Sequence, residues 1–93
     1  MKPADRYAWI EKYLRENAGG VDVLNREFVD AYIEDTGTKF RETMWGADKC
    51  PQLGRDLARM VKQRRLRRWR SGLQGNWQPG FPTWVWSYEL RKV

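Results

Sequence analysis

Apolar residues recur at helical spacing in three stretches of this chain and then, from residue 83 onward, at every second position. That change of period restricts the fold most, because it demands packed helices followed by half-buried antiparallel strand. In 3–17, Tyr7, Ile10 and Leu14 form one stripe; Pro3 and Asp5 suit a helix start, and Ala18-Gly19-Gly20 an end. Trp9 and Tyr13 lie on a flank of that stripe, where they either cover a neighbouring element or stay partly exposed. In 26–36, Asn25 is a good N-cap, Phe28, Val29, Tyr32 and Ile33 face inward, and Gly37 stops the helix. The intervening Val-Asp-Val-Leu at 21–24 is too short for a helix and reads as a minimal strand or extended connector.

Residues 38–49 have no clean period; the spacing of Phe40, Met44 and Trp45 suits a short helix or a packed loop. The third helix spans 50–64, with Pro51 at its first position and Leu53, Leu57, Met60 and Val61 as its stripe. A hairpin over 66–90 follows. Its turn contains Gly72, Gly75 and Gly80, and its second strand sets Trp84, Trp86, Tyr88 and Leu90 on one face, Thr83, Val85, Ser87 and Glu89 on the other. The aromatic face is expected to help close the core. Ninety-three residues suffice for one domain, so the expectation is a single α+β domain over 1–93.

Chemistry is restricted as sharply as fold. Cys50 is the only cysteine and histidine is absent, which excludes a disulfide framework, a Cys/His zinc site and any His-based acid–base step. A Cys50 nucleophile would have only Lys49 and a helix N-terminus to form its thiolate. Asp5, Glu11, Glu16, Asp30, Glu34 and Asp35 offer no fixed acid–base pair. The expectation is a non-enzyme without cofactor, metal or small-molecule substrate. The charged N-terminal stretch lacks an apolar run long enough for a signal peptide or a membrane span, so a cytoplasmic location with no membrane partner is expected.

Charge is concentrated. Residues 49–70 hold nine Lys/Arg against the single acid Asp56, whereas residues 1–38 carry five against eight acids. The net +6 therefore comes from one short basic stretch, where an anionic partner would bind. On a helical wheel Arg55, Arg59 and Lys62 lie opposite Leu53, Leu57 and Met60, with Gln52 and Gln63 on the margin. A merely solvated face is the commonest fate of such residues. Against it stands the mutual repulsion of so many cations.

The order helix, short extended piece, helix, connector, basic helix and glycine-rich hairpin resembles the winged helix-turn-helix family. The likeness is carried by LGRDLARMVKQRRLRRWRSG at 53–72, similar to a recognition helix running into a first wing strand, and by the tail GFPTWVWSYEL. The tail resembles the closing strand of small winged-helix proteins of phages and other mobile elements. The dozen-residue connector before the third helix departs from the usual three- or four-residue turn.

The resemblance implies sequence-specific binding of double-stranded DNA, as a transcriptional regulator or a recombination or replication accessory factor. The third helix would enter the major groove, with Gln52, Arg55 and Arg59 near base edges and Gln63 beside them. Lys49, Lys62, Arg64 and Arg65 would meet phosphates, Arg67 and Arg70 would hold the first wing strand to the backbone, and Gln74, Asn76 and Trp77 would sit at the wing tip. Trp77 is equally suited to stacking on nucleic acid or folding back on the hairpin. Trp84, Trp86 and Tyr88 read as core or dimer surface, and a homodimer would use the first helix or the aromatic strand. Two other partners fit the same residues: an acidic protein surface met by an adaptor, and RNA or single strands meeting the interleaved Arg and Trp of 64–77.

Overall fold

The computed structural model describes residues 1–23, 25–38, 42–44, 47–72 and 84–91, with 42–44 and 47–49 described by their backbone alone. The chain is α+β. Helices α1 (Pro3–Glu16), α2 (Arg26–Thr36) and α3 (Pro51–Lys62) accompany strands β1 (Val21–Asp22), β2 (Glu42–Met44), β3 (Ala47–Lys49), β4 (Leu66–Gly72) and β5 (Trp84–Leu90). One antiparallel sheet has the order β1-β5-β4, and β2 pairs with β3 in a separate two-stranded ribbon.

Each helix starts and stops for a local reason. Pro3 occupies the first turn of α1, where its missing N–H has no helical partner to lose. Asn25 caps α2 by accepting a hydrogen bond from the Phe28 N–H at 3.1 Å, and Gly37 closes it in the left-handed region at φ 73°. At the end of α3, Arg64 donates from its N–H to the Val61 carbonyl and Arg65 to that of Met60, at 3.0 and 2.9 Å. This is the paired pattern of a Schellman stop, so the helix ends at Lys62, two residues short of the expected boundary. The left-handed position falls on Arg64, at φ 61°, where glycine is the easier choice.

The helices converge on one core. Ile10 and Leu14 of α1, Phe28, Val29 and Tyr32 of α2, and Leu53, Leu57 and Met60 of α3 are buried together with Val21, Cys50, Leu66 and Tyr88. Trp9 and Tyr13 settle on the core's edge: they stack on one another with centroids 5.3 Å apart, and both stack on Phe28. Trp9 also donates from its indole N–H to Asp35 at 2.8 Å, tying α1 to α2.

One sequence expectation is corrected here. The described residues 42–44 and 47–49 form neither a helix nor a packed loop; β2 and β3 pair, with Glu42 opposite Lys49 and Met44 opposite Ala47. The helical spacing of Phe40, Met44 and Trp45 was accidental at Met44, which lies in strand, while Phe40 and Trp45 fall outside the described residues. The aromatic face of β5 helps to close the core: Tyr88 is buried and Leu90 and Trp86 pack on the core, while Trp84, the first residue of the strand, is 39% exposed.

β1 is short, yet its approach is tightly specified. Val21 pairs with Tyr88 and Asp22 with Ser87, and the Val23 N–H continues to the Trp86 carbonyl at 3.2 Å. Gly20 precedes it at φ +99°, and a Cβ there would come within 2.4 Å of the Trp69 ring. Only glycine satisfies both the backbone angle and the contact.

Candidate nucleic-acid interface

The buried face of α3 carries Leu53, Asp56, Leu57 and Met60, while Arg55, Arg59 and Lys62 are exposed. Asp56 is the anomaly, an acidic residue 2% exposed on the apolar stripe. A buried charge survives only if it is paired and hydrogen-bonded, and Asp56 is both. Arg6 of α1 donates through Nε to Oδ2 at 2.7 Å and through NH2 to Oδ1 at 3.1 Å. The Tyr32 hydroxyl donates to Oδ2 at 2.6 Å and Gln52 Nε2 to Oδ1 at 3.0 Å. One carboxylate thus joins all three helices. The hydrogen bond from Arg6 to Asp56 raises the guanidinium pKa further, and burial, with Asp56 beside it, holds the Tyr32 phenol well above the usual tyrosine range.

This cluster forms the floor of an open cleft of about 780 Å³ between the start of α1 and the exposed side of α3. Its walls bring together Gln52, Arg55, Arg59, Lys62 and Gln63, with Tyr7 opposite. Arg55, Arg59 and Lys62 meet no carboxylate among the described residues. Gln52 faces two ways: its amide nitrogen is held by Asp56, and its oxygen accepts from Arg55 NH2 at 3.3 Å. The buried carboxylate therefore orients the amide, and the amide orients an exposed arginine.

Beyond the helix the arginines divide. Arg64 is exposed in its left-handed turn. Arg65 turns back to the domain, bridging Glu11 and lying over the Tyr7 ring with its guanidinium carbon 5.3 Å from the centroid. Arg67 pairs with Glu89 directly across the strands and lies over Trp69. Arg70 sits on the opposite sheet face, over Trp84 at 4.7 Å and Trp86 at 5.8 Å. Lys49 is placed by its backbone in β3, and Gln74, Asn76 and Trp77 lie outside the described residues.

Sequence reasoning passed over Arg6, Tyr7 and Arg68. Arg6 was legible indirectly: Asp56 falls three residues after Leu53 and four before Met60, squarely on the apolar stripe, and a buried acid implies a buried partner. Arg68 lies over Trp86 at 4.3 Å on the face shared with Arg70.

Among the described residues no three of Asp, Glu, Cys and His are grouped to hold a metal ion, and no helix is long and apolar enough to cross a membrane. Comparison with family models, with curated proteins and with solved structures finds no match to this chain.

Proposed function

We propose that this chain is a winged helix-turn-helix protein that binds double-stranded DNA with sequence preference, as a transcriptional regulator or as an accessory factor of a mobile element. The observation that carries the reading is the row of Arg55, Arg59 and Lys62 along one exposed side of α3, unneutralised among the described residues. Element order supports it: β1 lies between α1 and α2 in sequence and beside β5 in the sheet, and α3 leads directly into the β4–β5 antiparallel pair. In this reading α3 enters the major groove, Arg55 and Arg59 approach base edges, and Lys62 and Arg64 hold phosphates. Gln52 acts through Arg55, whose guanidinium it steadies for a two-pronged contact with guanine.

The test is selection of bound duplexes from a random pool, followed by titration of the enriched site. Arg55→Ala and Arg59→Ala should each weaken the selected duplex by about 1–3 kcal/mol, and random duplex by less. Equal losses on both duplexes would remove α3 from the groove. Competition by single-stranded DNA, structured RNA and acidic protein at one salt concentration separates the DNA reading from the single-strand and adaptor readings.

A further inference from the structure

The sheet carries a second cationic surface, separate from the α3 cleft and built by a different device. Strand alternation and register place Arg68 and Arg70 of β4 on one face with Trp84 and Trp86 of β5, while Arg67, Trp69, Ser71, Ser87 and Glu89 occupy the other. Arg68 is directly opposite Tyr88 and Arg70 directly opposite Trp86. Each guanidinium also lies over the ring two residues earlier in β5 than the one it faces: Arg68 over Trp86 at 4.3 Å, Arg70 over Trp84 at 4.7 Å. The two indoles meet edge to face with centroids 5.1 Å apart. The result is an interleaved ladder of two cations and two rings, with Trp86 packed on the core and Trp84 exposed.

We propose that this ladder is a preformed clamp for the phosphodiester backbone of a nucleic acid. Both arginines are exposed with the guanidinium carbon held over an indole, and although Arg68 gives a hydrogen bond to the Tyr88 hydroxyl, each planar fork keeps N–H donors enough to grip a phosphate with two parallel hydrogen bonds. Stacking on the ring removes much of the side-chain freedom that binding would otherwise have to remove. The charge is available: Glu89 is engaged by Arg67 on the far face, and neither Arg68 nor Arg70 meets a carboxylate among the described residues. The rings are not free to take bases on the sides the guanidiniums cover, so the ligand class is the anionic backbone and not unstacked bases. Arg67, by contrast, pairs with Glu89 and lies over Trp69 on the other face, outside the ladder.

This inference goes beyond the α3 reading, and the experiment keeps the two apart. The full chain is titrated with random-sequence duplex DNA and with single-stranded DNA of equal length across a range of salt. The double variant Arg68→Lys/Arg70→Lys keeps the net charge but lacks the planar fork; its affinity for random duplex should fall about fivefold or more. Arg68→Ala/Arg70→Ala should in addition flatten the salt dependence by about 0.9 for each phosphate no longer neutralised. Arg26→Lys, on α2, should leave affinity unchanged, and Trp84→Leu, at an exposed ring, should weaken binding without altering charge. Parental affinity in the double lysine variant, an equal loss from Arg26→Lys, or a loss confined to single-stranded DNA would overturn the clamp. Loss of sequence preference in Arg55 or Arg59 variants concerns α3 alone and leaves the clamp standing.

Discussion

Arg6 and Asp56, fifty residues apart in the chain, meet in a two-point ion pair whose acidic side chain is 3% exposed and whose basic side chain is 16% exposed. The pair locks the start of α1 to the middle of α3 beneath the cationic cleft. Arg6→Ala should destabilise the domain by about 3 kcal/mol, because it leaves a buried carboxylate with only neutral donors. Adding Asp56→Leu to that variant should recover much of the loss. Urea unfolding of both variants checks this, and a double variant no more stable than Arg6→Ala would show that the orphaned charge is not the cause.

Tyr32 makes stability fall in alkali. Its phenol pKa lies above the ordinary 10.0, owing first to burial and then to the hydrogen bond donated to Asp56. A pKa raised in the folded state gives stabilisation that is complete below the unfolded pKa of 10.0 and is lost as pH climbs toward the folded value. Above pH 10.0 the unfolded chain releases a proton that the folded chain keeps, so stability should drop by about 1.4 kcal/mol per pH unit for this group. Tyr13 and Tyr88, both also raised by burial, add to the slope. Tyr32→Phe should lower stability at neutral pH yet make its decline above pH 10.0 shallower, as read from urea midpoints.

Arg64 occupies a backbone angle that costs an L-residue about 1–2 kcal/mol. Arg64→Gly should raise the unfolding free energy by about 1 kcal/mol and, under the proposed function, weaken DNA binding and reduce its salt dependence by about 0.9. Opposite movement of thermal stability and affinity is the signature to look for. A variant that gains stability with unchanged affinity would take Arg64 off the phosphate backbone.

Gly20→Ala should destabilise by about 3 kcal/mol, combining a positive φ with a methyl driven against Trp69. Gly19→Ala shares the positive φ, but nothing lies within 4 Å of the added carbon, so it should cost only the backbone share. The difference between the two thermal midpoints isolates the packing contribution.

The three helices and the β4–β5 pairing were legible in the sequence, because their signals are periodic and local. Each stripe fixes which side of its own element is buried, as the exposure of Arg55, Arg59 and Lys62 opposite Leu53, Leu57 and Met60 illustrates. The strands at 42–44 and 47–49 were not legible, because three residues are too short to display a period.

What the sequence by itself determined is therefore the kind of surface: an acid-poor cationic stretch on an amphipathic helix and the strand after it. Only the tertiary structure decided which cations remain available. Arg6 was drawn inward by Asp56, Arg65 was taken by Glu11 and Arg67 by Glu89, while Arg68 and Arg70 were laid on tryptophans. A cation's availability depends on which carboxylate or ring lies a few ångströms away in space, and partners drawn from elements far apart in the chain are set by packing and strand register.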